Sequence, residues 1–411
     1  MTTMSRECRV LVVQNGARHN YAVPLALARH EMLSGFYTDA CGNQGLGKVA
    51  SMLSGISSLS RRFSLLKNRK VPESVLPFTR TFPISAAMDS LADSLSGAGN
   101  QGRMLGMSMI RKGLGEADLL YSSFGWSPIF LAHARRKGLR VVTEFYVRPS
   151  YWKVHRDEYA RFPDWELQPP YMACANPTER LRMFICELSD EVIAPTQAVK
   201  EDIVAEGLFP AAHIHVVPYG IDEAFFSIKN RPDPGSVLFV GSCTLMKGIH
   251  YLAMAAQRIA QGAGMGRISF TAAGDVSDVV RHKPLCSAIR FLGRVPRVDI
   301  NQLYETADVL AFPTLSDSFG AVILEAMAAG IPVICSPYCA DIVEHGVSGL
   351  VVEPRDSEAW AQAILTLTHD RELRSRMAMA AKSRALQYTR DCHARILASA
   401  LSSIHGRLSE A

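Results

Sequence analysis

Between residues 307 and 332 the chain reads strand, loop, helix, and that order confines this half of it to a sheet backed by helices. The run from Ala307 to Phe312 is largely apolar and has the length of a buried strand, and Pro313, lacking an N–H, ends its ladder. A helix is expected from near Phe319, with Ser318 placed to cap it. Gly330 closes it and Pro332 bars continuation. Ser318 and Glu325 then lie almost two turns apart on one face, about 10 Å along the axis. Asp317, several free backbone N–H groups and Glu325 would line one side of a cleft. Free amides at a helix N-terminus favour an anion and carboxylates accept from hydroxyls, so the stretch suits a ligand with hydroxyls at both ends and negative charge between them. Taken singly, Asp317 reads as a turn residue and Glu325 as a solvated helix position.

The same strand, turn, helix order recurs. Val10 to Val13 is a buried strand followed by Gly16 and a helical period from Tyr21 to Leu33. The runs at 118–121 and 139–143 flank a helix at 127–137, and 237–240 ends in Gly241 before a helix reaching about 260. Strands at 268–274 and 289–293 and helices at 356–367 and 372–387 complete an α/β pattern. GxGxxG is absent after the first strand, which leaves a dinucleotide reading little support. With 411 residues there is room for two cores, and 48% hydrophobic with 20% charged residues argues against extended disorder. A net charge of +5 with no clustered stripe is no nucleic-acid signature. Nine scattered cysteines without a CxxC pair read as reduced thiols, and no run reaches a spanning length, so a cytoplasmic protein is expected. Residues 51–70 place Met52, Ile56, Leu59, Phe63 and Leu66 at helical spacing beside several arginines and lysines. That segment fits either a surface helix packed on its own domain or peripheral contact with the inner face of an anionic membrane.

Together these segments resemble the nucleotide-binding half of the retaining GT-B glycosyltransferases of the glycogen-synthase-like group, family 4 or "group 1". The hallmark of that family is two acids with seven residues between them, Phe-Gly just after the first and Glu-Ala-Met-Ala from the second. Here it is Asp317, Phe319, Gly320 and Glu325 to Ala328, the first acid being shortened to Asp. Segments at 291–295, 303–308, 330–333 and 344–350 fall in the family's order, and the match covers about residues 190–390. The resemblance implies two Rossmann-like doubly wound domains facing across a cleft. Residues 1–222 would form the acceptor side and 223–389 the nucleotide-sugar side, with 390–411 returning as a helix to the first.

Roles follow by the same resemblance. Lys247 and Asp317 are the catalytic candidates, Lys247 gripping the donor phosphates and Asp317 meeting hexose hydroxyls. The remaining donor-side candidates are Gly16, Ser242, Arg294, Val295, Ser318, Phe319, Gly320 and Glu325. Backbone at Arg294 and Val295 would hold the base, amides around Phe319 and Gly320 the diphosphate, and Glu325 the ribose. Gly16 approaches the diphosphate or simply makes a turn. Besides the shortened Asp317, three sites depart from the family. Ser242 replaces an Arg, Tyr219 replaces an Asn in the interdomain signature at 215–222, and Thr143, Glu144 and Phe145 stand where a His is frequent. Glu144, Tyr146 and His155 are therefore the acceptor-side candidates. Aromatic residues from Tyr151 to Tyr171 fit either a sugar-stacking pocket or core packing. The implied reaction is retaining transfer from a nucleoside diphosphate sugar, UDP- or GDP-linked, to a hydroxyl acceptor that is a saccharide, a lipid-linked group or a small molecule, with no metal and no further cofactor. The alternatives are a catalytically weak or inactive sugar-nucleotide-binding protein of the same fold and a phosphorylase-type relative.

Overall fold

The structure, a computed structural model, describes residues 8–52, 69–96, 102–124, 126–167, 186–262, 268–339 and 342–409. Thirteen strands among them form two sheets, parallel throughout. The first takes β1 (Val10–Val13), β2 (Leu33–Thr38), β3 (Thr79–Thr81), β4 (Leu119–Ser123), β5 (Arg140–Glu144), β6 (Glu191–Ala194) and β7 (Ile214–Val216) in the order β3-β2-β1-β4-β5-β6-β7. The second takes β8 (Ser236–Val240), β9 (Ser269–Ala273), β10 (Ile289–Gly293), β11 (Val309–Phe312), β12 (Val333–Cys335) and β13 (Gly349–Val351) in the order β10-β9-β8-β11-β12-β13. Helices on both faces bury these strands, which is why β1 and β11 are apolar without alternation. In each sheet the order reverses beside the first strand, between β1 and β4 and between β8 and β11. Crevices for ligands open at the carboxyl ends of strands at such points.

The first lobe departs from the sequence reading at its second strand. The helix expected to reach Leu33 covers only Ala22–Arg29; the chain turns through Glu31 in the left-handed region (φ 57°), and buried Leu33 pairs with Val10 to open β2. At the other end of the chain, the Arg390–Ser409 helix returns to this lobe and buries Leu397, Leu401 and Ile404 against the cluster containing Leu27. The two crossings between lobes run side by side. Ile221 N–H donates to the Tyr388 carbonyl (2.9 Å) and His393 to that of Pro218 (2.8 Å). A Cβ on Gly220 would lie 2.6 Å from the Arg390 Cα, so only glycine lets them approach this closely.

The aromatic stretch is packing rather than an open pocket. Phe162 and Trp165 press on His250 of the second lobe, with ring centroids 4.6 and 5.4 Å away, while Pro169, Pro170 and Tyr171 lie outside the described residues. Most of the basic amphipathic segment, 53–68, also lies outside them. No described helix is long and apolar enough to cross a membrane, and the eight described cysteines are free.

Candidate active site

Two loops flank the reversal in the second sheet, and each delivers one charged side chain. After β8 the chain turns at Gly241 and enters a single 3-10 turn, Leu245–Lys247, before the Ile249–Gln261 helix. After β11, Pro313 leads into the loop that carries Asp317. The Lys247 Nζ stands 2.5 Å from the Asp317 Oδ2, over the Phe312 ring. The other carboxylate oxygen, Oδ1, accepts from the amides of Phe319 (3.0 Å) and Gly320 (2.8 Å). Burial pushes the Asp317 carboxyl up, but Lys247 and those two amides outweigh it and hold the group below its ordinary value.

This corrects two details of the sequence reading. The helix is Ala321–Ala328 and begins after Gly320, which caps it in the left-handed conformation (φ 73°); Ser318 makes no cap bond. A carboxylate beside free amides captures them first, so the amides of Phe319 and Gly320 are bonded to Asp317 rather than open. Ser318 instead ties the lobes together: its carbonyl accepts from Thr196 Oγ1 at 3.2 Å. Glu325 is half-buried about 6 Å along the axis from the helix start. Its Oε2 accepts from the fully buried Tyr304 hydroxyl at 2.9 Å, a positioning contact the sequence did not signal. Ser242 is exposed on the β8 loop; Arg294 pairs with Asp275 at the exposed end of β10, and Val295 follows it half-buried.

The first sheet presents its own reversal across the cleft. After β1, His19, Asn20 and Tyr21 are all left-handed (φ 46°, 54° and 62°), a strained run at a cost of about 1–3 kcal/mol each. The run turns Arg18 inward. Its guanidinium lies 3.4 Å above the Tyr146 ring and bonds Glu144 Oε1 (3.2 Å) and the Tyr219 hydroxyl (2.6 Å), which in turn donates to Glu144. Burial works against the Glu144 charge, yet Arg18 and the Tyr219 hydroxyl hold its carboxyl below the usual value. Burial and Arg18 push His19 down to about 4, so it is neutral at pH 7. Gly16 N–H donates to Asp39 Oδ1 (3.0 Å), and Asp39 Oδ2 pairs with Arg69 (2.9 Å), so this amide too is bonded to a carboxylate.

Two adjoining cavities of about 500 and 620 Å³ open here, sharing Asn15, Arg69 and Trp126 as walls. Of the three acceptor-side candidates, only Tyr146 lines the first of them. Glu144 is buried behind Arg18, and His155 sits in the interlobe contact, bonded to Glu166 at 3.0 Å. The structure therefore does not bring these three together. Arg18, Arg69 and Trp126 were missed because their meeting depends on loops far apart in the chain.

Fold and site together define a two-domain protein with a cation, a carboxylate and a tight amide turn at the second domain's reversal, facing a polar cavity at the first domain's. Residues 234–370 match the glycosyl transferases group 1 family and residues 99–225 match Glycosyltransferase Family 4. The uncharacterized glycosyltransferase MJ1607 of Methanocaldococcus jannaschii is 33% identical over 199 residues, 42% of this chain and 50% of that protein, so the match spans half of the relative's length. The glycogen synthase of Mycobacterium tuberculosis is 26% identical over 293 residues, 68% of this chain and 69% of that protein. The crystal structure of Anabaena Alr3699/HepE in complex with UDP and glucose superposes with a TM-score of 0.64 at 20% identity, covering 96% of this chain and all of that one. The fold is GT-B, and the chain belongs to the group 1, family 4 glycosyltransferases.

Proposed function

We propose that the protein transfers a sugar, with retention of configuration, from a nucleoside diphosphate sugar to a hydroxyl acceptor. The observation that carries this reading is the convergence of Lys247 and Asp317 from the two loops at the second sheet's reversal, opposite the cavity of the first. Charge develops on the departing diphosphate, and Lys247 is the cation placed to stabilise it. Asp317 receives hexose hydroxyls, and Glu325, oriented by Tyr304, receives those of the ribose. Bound UDP in the Anabaena structure supports a uridine donor, and a saccharide or small hydroxyl acceptor suits the cavity walled by Asn15, Arg69, Trp126 and Tyr146. No step in this scheme calls on a metal ion.

The test is a panel of UDP-glucose, GDP-mannose and ADP-glucose, scored for slow donor hydrolysis in EDTA with the released sugar's anomer read by NMR. Retained α-configuration is expected for one donor. Lys247→Ala should slow that turnover by about 2–4 kcal/mol in barrier, the worth of one oxyanion donor. Failure of all three to bind would remove the reading; binding without hydrolysis would favour the inactive alternative.

A further inference from the structure

After β5 the chain leaves the first sheet, and Val154, Tyr159, Phe162 and Trp165 pack against the second lobe. The Tyr151–Arg161 helix carries Glu158, which is fully buried. One of its oxygens accepts from His250 Nε2 (2.9 Å) and the Tyr251 hydroxyl (2.5 Å), the other from Arg355 at 2.8 and 3.0 Å. Beyond the helix, Asp164 pairs with Lys283 at the surface. Glu166 goes deeper: its Oε1 accepts from the Leu245 amide at 2.5 Å while Oε2 meets buried His155 at 3.0 Å.

Leu245 is the first residue of the turn that ends in Lys247. A three-residue turn has no internal partner for its leading amides and must find one outside. The far side of this turn is anchored within its own lobe, where the Met246 carbonyl accepts from Leu315 N–H (2.8 Å) and Thr314 Oγ1 (3.0 Å). Gly248 then follows in the left-handed region, with any Cβ 1.9 Å from the Pro313 carbonyl oxygen. The near side is anchored by Glu166, from the other lobe's chain.

We propose that Glu166, oriented by His155, is a positioning residue that sets where the Lys247 ammonium stands. The proposal rests on the role given to Lys247 above. Glu166 touches no substrate; it acts through the turn, so its loss displaces a charge rather than removing one.

The experiment measures turnover of whichever donor in the panel is hydrolysed fastest, with UDP affinity by calorimetry, in Glu166→Ala, Glu166→Gln, Lys247→Ala and the Glu166→Ala/Lys247→Ala double variant. Misplacing a charge by about 1 Å can cost up to about 100-fold, so Glu166→Ala should lower kcat for donor hydrolysis about 10- to 100-fold. Glu166→Gln, whose amide oxygen can still accept from Leu245, should recover most of that loss. The double variant should be no slower than Lys247→Ala alone. Asp164→Ala, which cuts a surface tie of the same segment, should behave as wild type, and melting curves confirm folding throughout. Multiplicative losses in the double variant, or a Gln variant as slow as Ala, would overturn the proposal while leaving the role of Lys247 standing. Unchanged turnover and UDP affinity in Lys247→Ala would overturn both.

Discussion

The pairing of Lys247 with Asp317 makes an unusual prediction, that removing the acid tightens nucleotide binding while slowing transfer. In Asp317→Asn the side-chain oxygen still accepts from the amides of Phe319 and Gly320, so the turn keeps its shape. What disappears is the negative charge beside Lys247. Opposite charges about 4 Å apart attract by about 4 kcal/mol at an effective dielectric constant near 20. Lys247 and Asp317 are 29% and 17% exposed, and solvent screening with the cost of desolvation reduces the net value to about 1–2 kcal/mol. A diphosphate arriving at Lys247 must compete with that carboxylate and stand beside a charge of its own sign. Relief of both should tighten UDP binding about 5- to 30-fold. Transfer should slow, because the hexose loses a charged acceptor worth about 1.5–3 kcal/mol. Calorimetric titration of UDP into both proteins, at low salt and at high salt, reads the first effect, and donor hydrolysis reads the second. If folded Asp317→Asn binds UDP no better than wild type, Lys247 does not face the diphosphate and the site is wrongly drawn.

Three further outcomes are expected. Glu158→Gln strips the charge from a buried network that also holds the partly exposed Arg355, and should destabilise the second lobe by about 1–3 kcal/mol, seen as a lower urea midpoint. Tyr304→Phe removes the hydrogen bond to Glu325 Oε2 and should weaken UDP binding by about 0.5–1.5 kcal/mol, while 2′-deoxy-UDP, lacking one ribose hydroxyl, should lose less. Asp317 and Glu144 are both held below their ordinary values, so the stability they contribute is complete above about pH 5 and is lost as pH falls through their folded values. Asp317→Asn should therefore flatten the acid side of a plot of melting temperature against pH.

The second lobe was legible because its signals are local. Pro313, Gly330 and Pro332 punctuate a strand and a helix in sequence order, and the structure differs only where the Asp317 carboxylate outcompetes Ser318 for the leading amides. The first lobe was less legible, since β2 carries Ser34, Gly35 and Thr38, and its place in the sheet is decided by Leu33 pairing with Val10. The aromatic run at 151–165 looked the same from sequence whether exposed to a sugar or buried. Glu158 decides it: a carboxylate with no access to water requires His250, Tyr251 and Arg355, which come from 92 or more residues away. Likewise Arg69 meets Asp39 and Gly16 only through the crossing of loops after β1, β2 and the segment before β3.

The departures at 144 and 219 were separate losses in the sequence, and the structure joins them. Tyr219 donates to Glu144 and accepts from Arg18, and its ring packs at a tilt against His19 at 4.1 Å and meets Phe319 edge-on at 5.0 Å. Removing one partner of a buried ion pair costs about 3–5 kcal/mol, so a glutamate at 144 is tolerable only with Arg18 turned inward, and Arg18 turns inward only through the strained run at 19–21. The three positions are therefore one device, built where the first crossing between lobes meets the β1 loop. Its charged end toward the cavity is the Arg18 guanidinium stacked on Tyr146, with Glu144 behind it. On the proposed function, contact with the acceptor falls to Arg18 and Tyr146, and Glu144 serves by holding that cation in place beside the Phe319 turn of the donor site.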